Sequence, residues 1–326
     1  YEIANSDWSS DVCSSDLQLI DKILRLKKEK RAVILAHYYT IPEVQQVADF
    51  TGDSLALSAR AAETDAEIIL FAGVHFMAET AKILSPDKKV LLPEPEAGCS
   101  LADSCSAPDF ERFLRNYNGY TVVSYVNTSV GVKALTDICC TSGNAVQVIE
   151  SLPADAKIVF APDRNLGNYI KQLTGRQNMV VWDGACGVHE EFSVEKILEL
   201  KKEYPEAKVL AHPECKRAVL LTADYIGSTA ALLKYASTDP ADTFIVVTEA
   251  GILYQMQREN PQKRFIPAPP VDSTCGCNNC AFMKMVTLEK ICSALEREAP
   301  EVVIDEEVRR RAEGSIRRML QIGRSK

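Results

Sequence analysis

The sequence predicts an α/β protein made of three homologous three-layer α/β/α domains, each with a small parallel sheet, set around a pseudo-threefold axis. Three observations predict it. Short apolar, β-branched runs alternate with amphipathic helical stretches, the pattern of parallel strands buried on both faces. The runs recur with a period near 88 residues, an internal repeat of whole α/β units. Polar and cysteine-bearing motifs follow matching strands, in the place where parallel sheets bind ligands, just outside the strands' carboxyl ends.

In chain order, residues 1–16 (YEIANSDWSSDVCSSD) are rich in Ser and Asp and show no periodicity. They read as a foreign or disordered leader, and Trp8 and Cys13 are set aside with them. An amphipathic helix is predicted from Leu17 (LQLIDKILRLKKEK). Nine strands follow: AVILA (32–36), EIILF (67–71), KVLL (89–92), TVVSYV (121–126), KIVFA (157–161), MVVW (179–182), KVLA (208–211), FIVV (244–247) and RFI (264–266). Stretches such as DSLALSARAAE and SVEKILELKKEY supply helices between them. Val33, Val122 and Val209 open matching strands 89 and 87 residues apart; Ile68, Ile158 and Ile245 recur at 90 and 87; Val90, Val180 and Phe265 at 90 and 85. The repeat divides the chain into domains at 17–112, 113–198 and 199–286, with C-terminal helices at 287–326 packing on the first.

The chain has 326 residues, 46% hydrophobic and 25% charged, as a globular protein with a sizeable core requires. Its formal net charge of −8 argues against nucleic acid and anionic membrane as partners. No apolar run reaches the roughly 20 residues of a membrane span, and no signal pattern opens the sequence. A cytoplasmic location is therefore expected. Eleven cysteines, an odd number, then read as thiols or metal ligands and not as a disulfide framework.

The motifs align across the repeat. After the first strand of each third come AHYY (36–39), SYVN (124–127) and AHPE (211–214). Some 15 residues on come TGDS (51–54), CTSGN (140–144) and IGST (226–229), each opening a helical stretch. After the last strand come EAGCS (96–100), GACGVHEE (184–191) and a loop, STCGCNNCAFMKM, holding Cys275, Cys277 and Cys280. Three cysteines with no nearby His do not complete a four-ligand zinc site. Cys99 and Cys186 are 87 residues apart, and Cys186 and Cys280 are 94 apart, so each third contributes one cysteine at a matching place. Three thiolates suit an iron–sulfur cluster with one iron left open as a Lewis acid. A zinc loop, or a reversible disulfide of Cys280 with Cys275 or Cys277, is the competing reading. Cys105 is expected near Cys99, Cys139 and Cys140 as small buried residues at a helix start, Cys215 beside the pocket, and Cys292 in the core.

Three of the four histidines, His37, His189 and His212, lie just past strand ends; His75 reads as structural. His189 with Glu191 and His212 with Glu214 pair an imidazole with a carboxylate, groups suited to proton transfer when a pocket tunes them. Pro213 fixes the chain before Glu214, which favours catalysis there. Ser54, Ser142, Ser228 and Thr229 fall where helices should start. Each alone reads as an N-cap; together around one cavity they suit a polyanionic ligand. Tyr39, Tyr125 and Asn127 supply further polar contacts.

AHYY, TGDSLALS, EAGCSLADSC, SYVNT, CTSGNA, GACGVHEEF, AHPEC, DYIGST, TEAGILYQM and CGCNNCAFMKM, in this order from about residue 17 to the C-terminus, resemble the quinolinate synthase (NadA) family. The resemblance implies three α/β domains around a pseudo-threefold axis and a 4Fe–4S cluster on Cys99, Cys186 and Cys280. It implies condensation of iminoaspartate with dihydroxyacetone phosphate to quinolinate in NAD biosynthesis, releasing phosphate and water. It also implies functional coupling to an L-aspartate oxidase or dehydrogenase. Glu214 would act as base with Tyr39 and His212. His37, Ser54, Tyr125, Asn127, Ser142, His189, Glu191, Ser228 and Thr229 would line the substrate site. The last loop departs from many members: it reads C-x-C-x-x-C followed by Ala281, where they have C-x-x-C-x-x-C followed by Pro. Two rivals predict different chemistry. Another 4Fe–4S hydro-lyase would need no dihydroxyacetone phosphate. A zinc-stabilised scaffold would be colourless and leave Cys99 and Cys186 without a role.

Overall fold

A computed structural model describes residues 14–271 and 278–323. The described residues form three four-stranded parallel sheets. The first holds β1 (Ala32–His37), β2 (Phe50–Gly52), β3 (Ile68–Ala72) and β4 (Lys89–Leu91). The second holds β5 (Thr121–Tyr125), β6 (Ile138–Cys140), β7 (Ile158–Ala161) and β8 (Met179–Val181). The third holds β9 (Lys208–Ala211), β10 (Tyr225–Ile226), β11 (Thr243–Val247) and β12 (Arg264–Pro267). The three sheets share one strand order: β2-β1-β3-β4, β6-β5-β7-β8 and β10-β9-β11-β12.

The nine runs predicted as strands all form strands. The three that were not predicted, β2, β6 and β10, are two- or three-residue edge strands (FTG, ICC, YI), too short for a period-two signal. Each runs into the start of a motif that was expected only to open a helix. Cys139 and Cys140, expected at a helix start, therefore lie in β6, where both are fully buried. The registers also refine the repeat. Val33 pairs with Ile69, Val122 with Val159 and Val209 with Ile245, and Ile245 in turn lies opposite Ile266. Ile68, Ile158 and Phe265 are thus each one residue off the true counterparts, a slip that spacing alone does not detect.

Alternation buries each sheet on both faces. Val33 and Leu35 of β1 join a core shared with the second sheet, and Ile34 and Ala36 face the core under the terminal helices. In β7, Ile158 and Phe160 face the shared core, while Val159 and Ala161 face the layer of helix Ala107–Leu114. In β11, Ile245 and Val247 point one way and Phe244 and Val246 the other.

The N-terminal helix spans Ser14–Glu29, one turn earlier than expected, with Asp16 in its first turn and Lys27 and Lys28 in its last, as the helix dipole favours. Residues 1–13 of the expected leader lie outside the described residues. Helix Leu288–Arg297 packs on this helix, with Lys22 Nζ 2.5 Å from Glu296 Oε1. Helix Glu306–Gly323 does more than pack on the first unit. Arg309 Nη1 donates to Ile83 O at 3.2 Å, and Met319 O accepts from Asn144 Nδ2 at 3.1 Å, so it bridges the first two units. Its stripe of Ala312, Ile316, Met319 and Leu320 completes their shared core. No helix among the described residues is long and apolar enough to cross a membrane.

Candidate active site

The carboxyl ends of the three sheets open on one cavity. Each sheet supplies side chains from its strand ends and the segments that follow them: His37, Tyr39, Ser54 and Cys99 from the first; Tyr125, Asn127, Ser142 and Cys186 from the second; His212, Glu214, Thr229 and Cys280 from the third.

The three cysteines repeat one local structure. Cys99, Cys186 and Cys280 each precede a four-residue helix: Ser100–Asp103, Gly187–Glu190 and Ala281–Lys284. Backbone N–H groups one turn on approach each sulfur, those of Leu101 and Ala102 at Cys99, His189 at Cys186, and Phe282 and Met283 at Cys280. All three are free thiols. Burial, with the neighbouring Cys280 and Glu214, pushes the Cys99 thiol up to about 12. Burial raises Cys186 and Cys280 as well. Without a metal they are protonated at neutral pH, and metal loading would release their protons.

Their spread separates two kinds of metal. A single zinc at about 2.3 Å from each sulfur would hold the sulfurs about 3.8 Å apart. Among the described residues, the ligand atoms that do lie within 4.8 Å of one another belong to Cys186, His189 and Glu214, not to the three cysteines. Three soft thiol donors are the ligand chemistry an iron–sulfur cluster uses. Cys275 and Cys277 lie outside the described residues. One other expectation is corrected: Cys215 is fully buried, its Sγ 3.5 Å from Val247 O, and does not line the cavity; Cys105 packs in the outer core of the second sheet.

Glu214 is the electrostatic centre. Its Oε2 lies 2.8 Å from His189 Nδ1 and 4.0 Å from His212 Nδ1. Burial alone would raise its carboxyl, but the two imidazoles, with hydrogen bonds from His189 and Tyr125, outweigh burial and hold it at about 2. The His189 contact at 2.8 Å is the direct one. His189 Nδ1 also lies 3.2 Å from Cys186 Sγ, and its Nε2 3.0 Å from Thr248 Oγ1. The Tyr39 hydroxyl lies 2.8 Å from the same Thr248 oxygen and 2.9 Å from Thr229 Oγ1. His212 Nε2 lies 3.1 Å from Ser142 Oγ. Burial keeps the Tyr39 and Tyr125 phenols well above their ordinary range. At neutral pH the Glu214 carboxylate therefore sits among neutral phenols. Asn127 Oδ1 is buried and has no hydrogen-bond partner among the described residues, an acceptor waiting for a donor.

Two predicted residues do not join this set. Glu191 is exposed and outside the cavity; the carboxylate partner of His189 is Glu214, which comes from another sheet. Ser228 is the N-cap of helix Thr229–Thr238, its Oγ accepting from Ala231 N at 3.3 Å, so the ordinary capping role wins there. Ser54 starts helix Ser54–Glu63 but leaves the capping to Asp53, which frees its hydroxyl for the cavity. His75 is half-exposed, 3.7 Å from Glu79. The sequence reading missed Thr248 and Glu249, which directly follow β11 within the quoted TEAGILYQM, and Lys284 after Cys280. Lys284 Nζ lies 2.8 Å from Glu249 Oε1 and donates to Tyr39 O at 2.6 Å. Their only sequence signal is position past a strand end. Gly251 is required here: a Cβ would meet Tyr39 Cα at 2.7 Å and Lys284 Nζ at 2.8 Å.

Burial, before the cations of His212 and Lys284, lowers His37 from 6.5 to about 3, and burial likewise lowers His212 to about 3. The unfolded chain takes up these protons below its own value, whereas the folded chain does not. Their stabilisation is thus full above 6.5 and falls as pH drops toward 3, by about 1.4 kcal/mol per pH unit for each histidine. Glu214 adds a loss in the same direction, confined to the window from 4.5 down to about 2. Urea unfolding of cluster-free protein should show stability declining from pH 7 to pH 5 at roughly twice the slope found for His212→Asn; equal slopes would contradict the buried neutral state of His212.

The family model described as "Quinolinate synthetase A protein" (NadA) matches residues 21–321. A quinolinate synthase of Thermosynechococcus vestitus is 58% identical over 306 residues, 94% of this chain and 96% of that protein. Quinolinate synthases of Rippkaea orientalis and Microcystis aeruginosa are each 55% identical over 304 residues, covering 93% of this chain and 93% and 95% of theirs. With matches of this extent, across all three sheets and all three cavity cysteines, the chain belongs to the NadA quinolinate synthetase family.

Proposed function

We propose that the chain is a quinolinate synthase that condenses iminoaspartate with dihydroxyacetone phosphate, releasing phosphate and water, in NAD biosynthesis. The observation that carries this reading is the meeting of three free thiols, one from each sheet, beside the buried carboxylate of Glu214. Cys99, Cys186 and Cys280 would hold a 4Fe–4S cluster. When bound, such a cluster supplies an iron without a protein ligand, a Lewis acid for substrate oxygen or nitrogen.

The chain's own residues do the rest. Glu214, ionised and shielded from water, takes protons during tautomerisation and dehydration. Tyr39, held between Thr229 and Thr248, and neutral His212, held by Ser142, donate and return them. Ser54, Ser142 and Thr229 donate to the carboxylates and phosphate of the substrates, and the unpartnered Asn127 carbonyl accepts from a substrate N–H or O–H. His37 and Tyr125 pack against this set, and His189 orients Glu214. The acidic chain acts on small molecules in the cytoplasm, fed with iminoaspartate by an aspartate-oxidising enzyme.

The test is anaerobic purification with iron and sulfide analysis, then assay of quinolinate and phosphate. Brown protein with about four irons per chain, making quinolinate only when both substrates are present, is the expected result. Colourless protein after reconstitution, or loaded protein that dehydrates a hydroxy acid but makes no quinolinate, would overturn it.

A further inference from the structure

Two buried carboxylates that take no part in the proposed chemistry occupy the same place in two of the three repeats. Asp163 lies two residues past the end of β7, and Glu249 two residues past the end of β11. Asp163 is 0% exposed and Glu249 1%. Asp163 Oδ1 accepts from Leu166 N at 2.7 Å, capping helix Arg164–Thr174, and its Oδ2 accepts from Cys186 N at 3.3 Å. Glu249 Oε2 accepts from Gly251 N at 2.7 Å, and its Oε1 accepts from Cys280 N at 2.9 Å and from Lys284 Nζ at 2.8 Å. Each carboxylate thus reaches from the loop after the third strand of its repeat to the cysteine loop after the fourth. With both oxygens engaged by backbone donors, neither is placed to move protons for a substrate. The counterpart in the first repeat, two residues past β3, is Val74, which has no acceptor to offer. There the loop is tied further from the cysteine itself: Ala97 O accepts from His75 N at 2.8 Å, Gly98 N donates to Glu96 O at 2.8 Å, and Glu96 N donates to Glu94 Oε1 at 2.9 Å.

We propose that Asp163 and Glu249 are positioning residues that present Cys186 and Cys280 to the cavity by holding the backbone N–H of each cysteine, whereas Cys99 is presented without a carboxylate. That these cysteines are cluster ligands rests on the function proposed above; that the two carboxylates fix their loops does not. The two holds differ in reach. Asp163 works within its own repeat, while Glu249, through Lys284 and the Tyr39 carbonyl, also ties the third cysteine loop to the first repeat. Losing Glu249 should therefore disturb Tyr39 as well, and losing Asp163 should not.

The test is mass-mapped alkylation of reduced, cluster-free protein. Asp163→Ser keeps an oxygen for the helix cap but not the second acceptor. It should raise the rate at Cys186 about tenfold, the cost of leaving one buried hydrogen bond unmade, with Cys99 and Cys280 unchanged. Glu249→Ala should do the same at Cys280, with Cys99 and Cys186 unchanged, and Glu249→Gln, which restores a neutral acceptor, should recover most of the wild-type rate. An equal rise at all three cysteines would mean general loosening and would overturn the proposal, as would no rise at the cognate cysteine. Should a variant fail to fold, amide hydrogen exchange in wild type decides the matter: the Cys186 and Cys280 amides must exchange more slowly than that of Cys99. In loaded protein, iron loss to a chelator should quicken in both variants. If wild type never loads iron, the functional reading fails, and the alkylation pattern still decides this one.

Discussion

Cys186→Ala protein will fold and carry no cluster, and its quinolinate formation will fall to background. Cys186 is half-buried at the start of its helix, so removal of the sulfur opens little core volume. What it removes is one of three donors that no neighbour replaces, since among the described residues the other free cysteines lie away from the cavity. Cys99→Ala and Cys280→Ala should behave alike. Cys215→Ala and Cys292→Ala are the controls, both buried in core clusters; they should cost about 1–2 kcal/mol of stability and keep the iron. Iron analysis beside thermal unfolding separates the two classes. A Cys186→Ala protein that still holds a full cluster would show that ligation does not follow the repeat.

Glu214→Gln should lower turnover by about 10²–10⁴-fold, the usual effect of losing a general base, with iron content and visible spectrum unchanged. The substitution keeps the shape of a side chain that is 3% exposed and removes only its charge. Because the His189 and Tyr125 contacts hold the native carboxyl at about 2, wild-type activity should show no acid limb from Glu214 between pH 5 and pH 8. Steady-state assays across that range test both statements. A fall in iron content together with activity would assign Glu214 to the metal site, which its closeness to Cys186 and His189 permits geometrically.

The layout of the sheets was legible because buried parallel strands write themselves as apolar β-branched runs, and the repeat fixed which ones correspond. The short edge strands β2, β6 and β10 were not legible, since two or three residues carry no period. The first-strand motifs and the three matching cysteines told which loops meet, because ligand position past a strand end follows from topology. Pairing inside the site did not follow. His189 was matched with Glu191, its sequence neighbour, but finds Glu214, which is supplied by a different sheet. Local sequence cannot show that choice, because it depends on how three units pack. For the same reason Asp163, Glu249 and Thr248 went unnoticed: their roles are hydrogen bonds to groups more than 20 residues away.

One cysteine from each sheet has a mechanical consequence. A cofactor gripping Cys99, Cys186 and Cys280 closes two rings of 87 and 94 residues, and rings of that size each remove about 4–5 kcal/mol of freedom from an unfolded chain that keeps the link. The cofactor is then a clasp as well as a reagent. Loss of it would return that freedom to the unfolded chain, so a chain that has lost such a cofactor would also be the one a protease opens first.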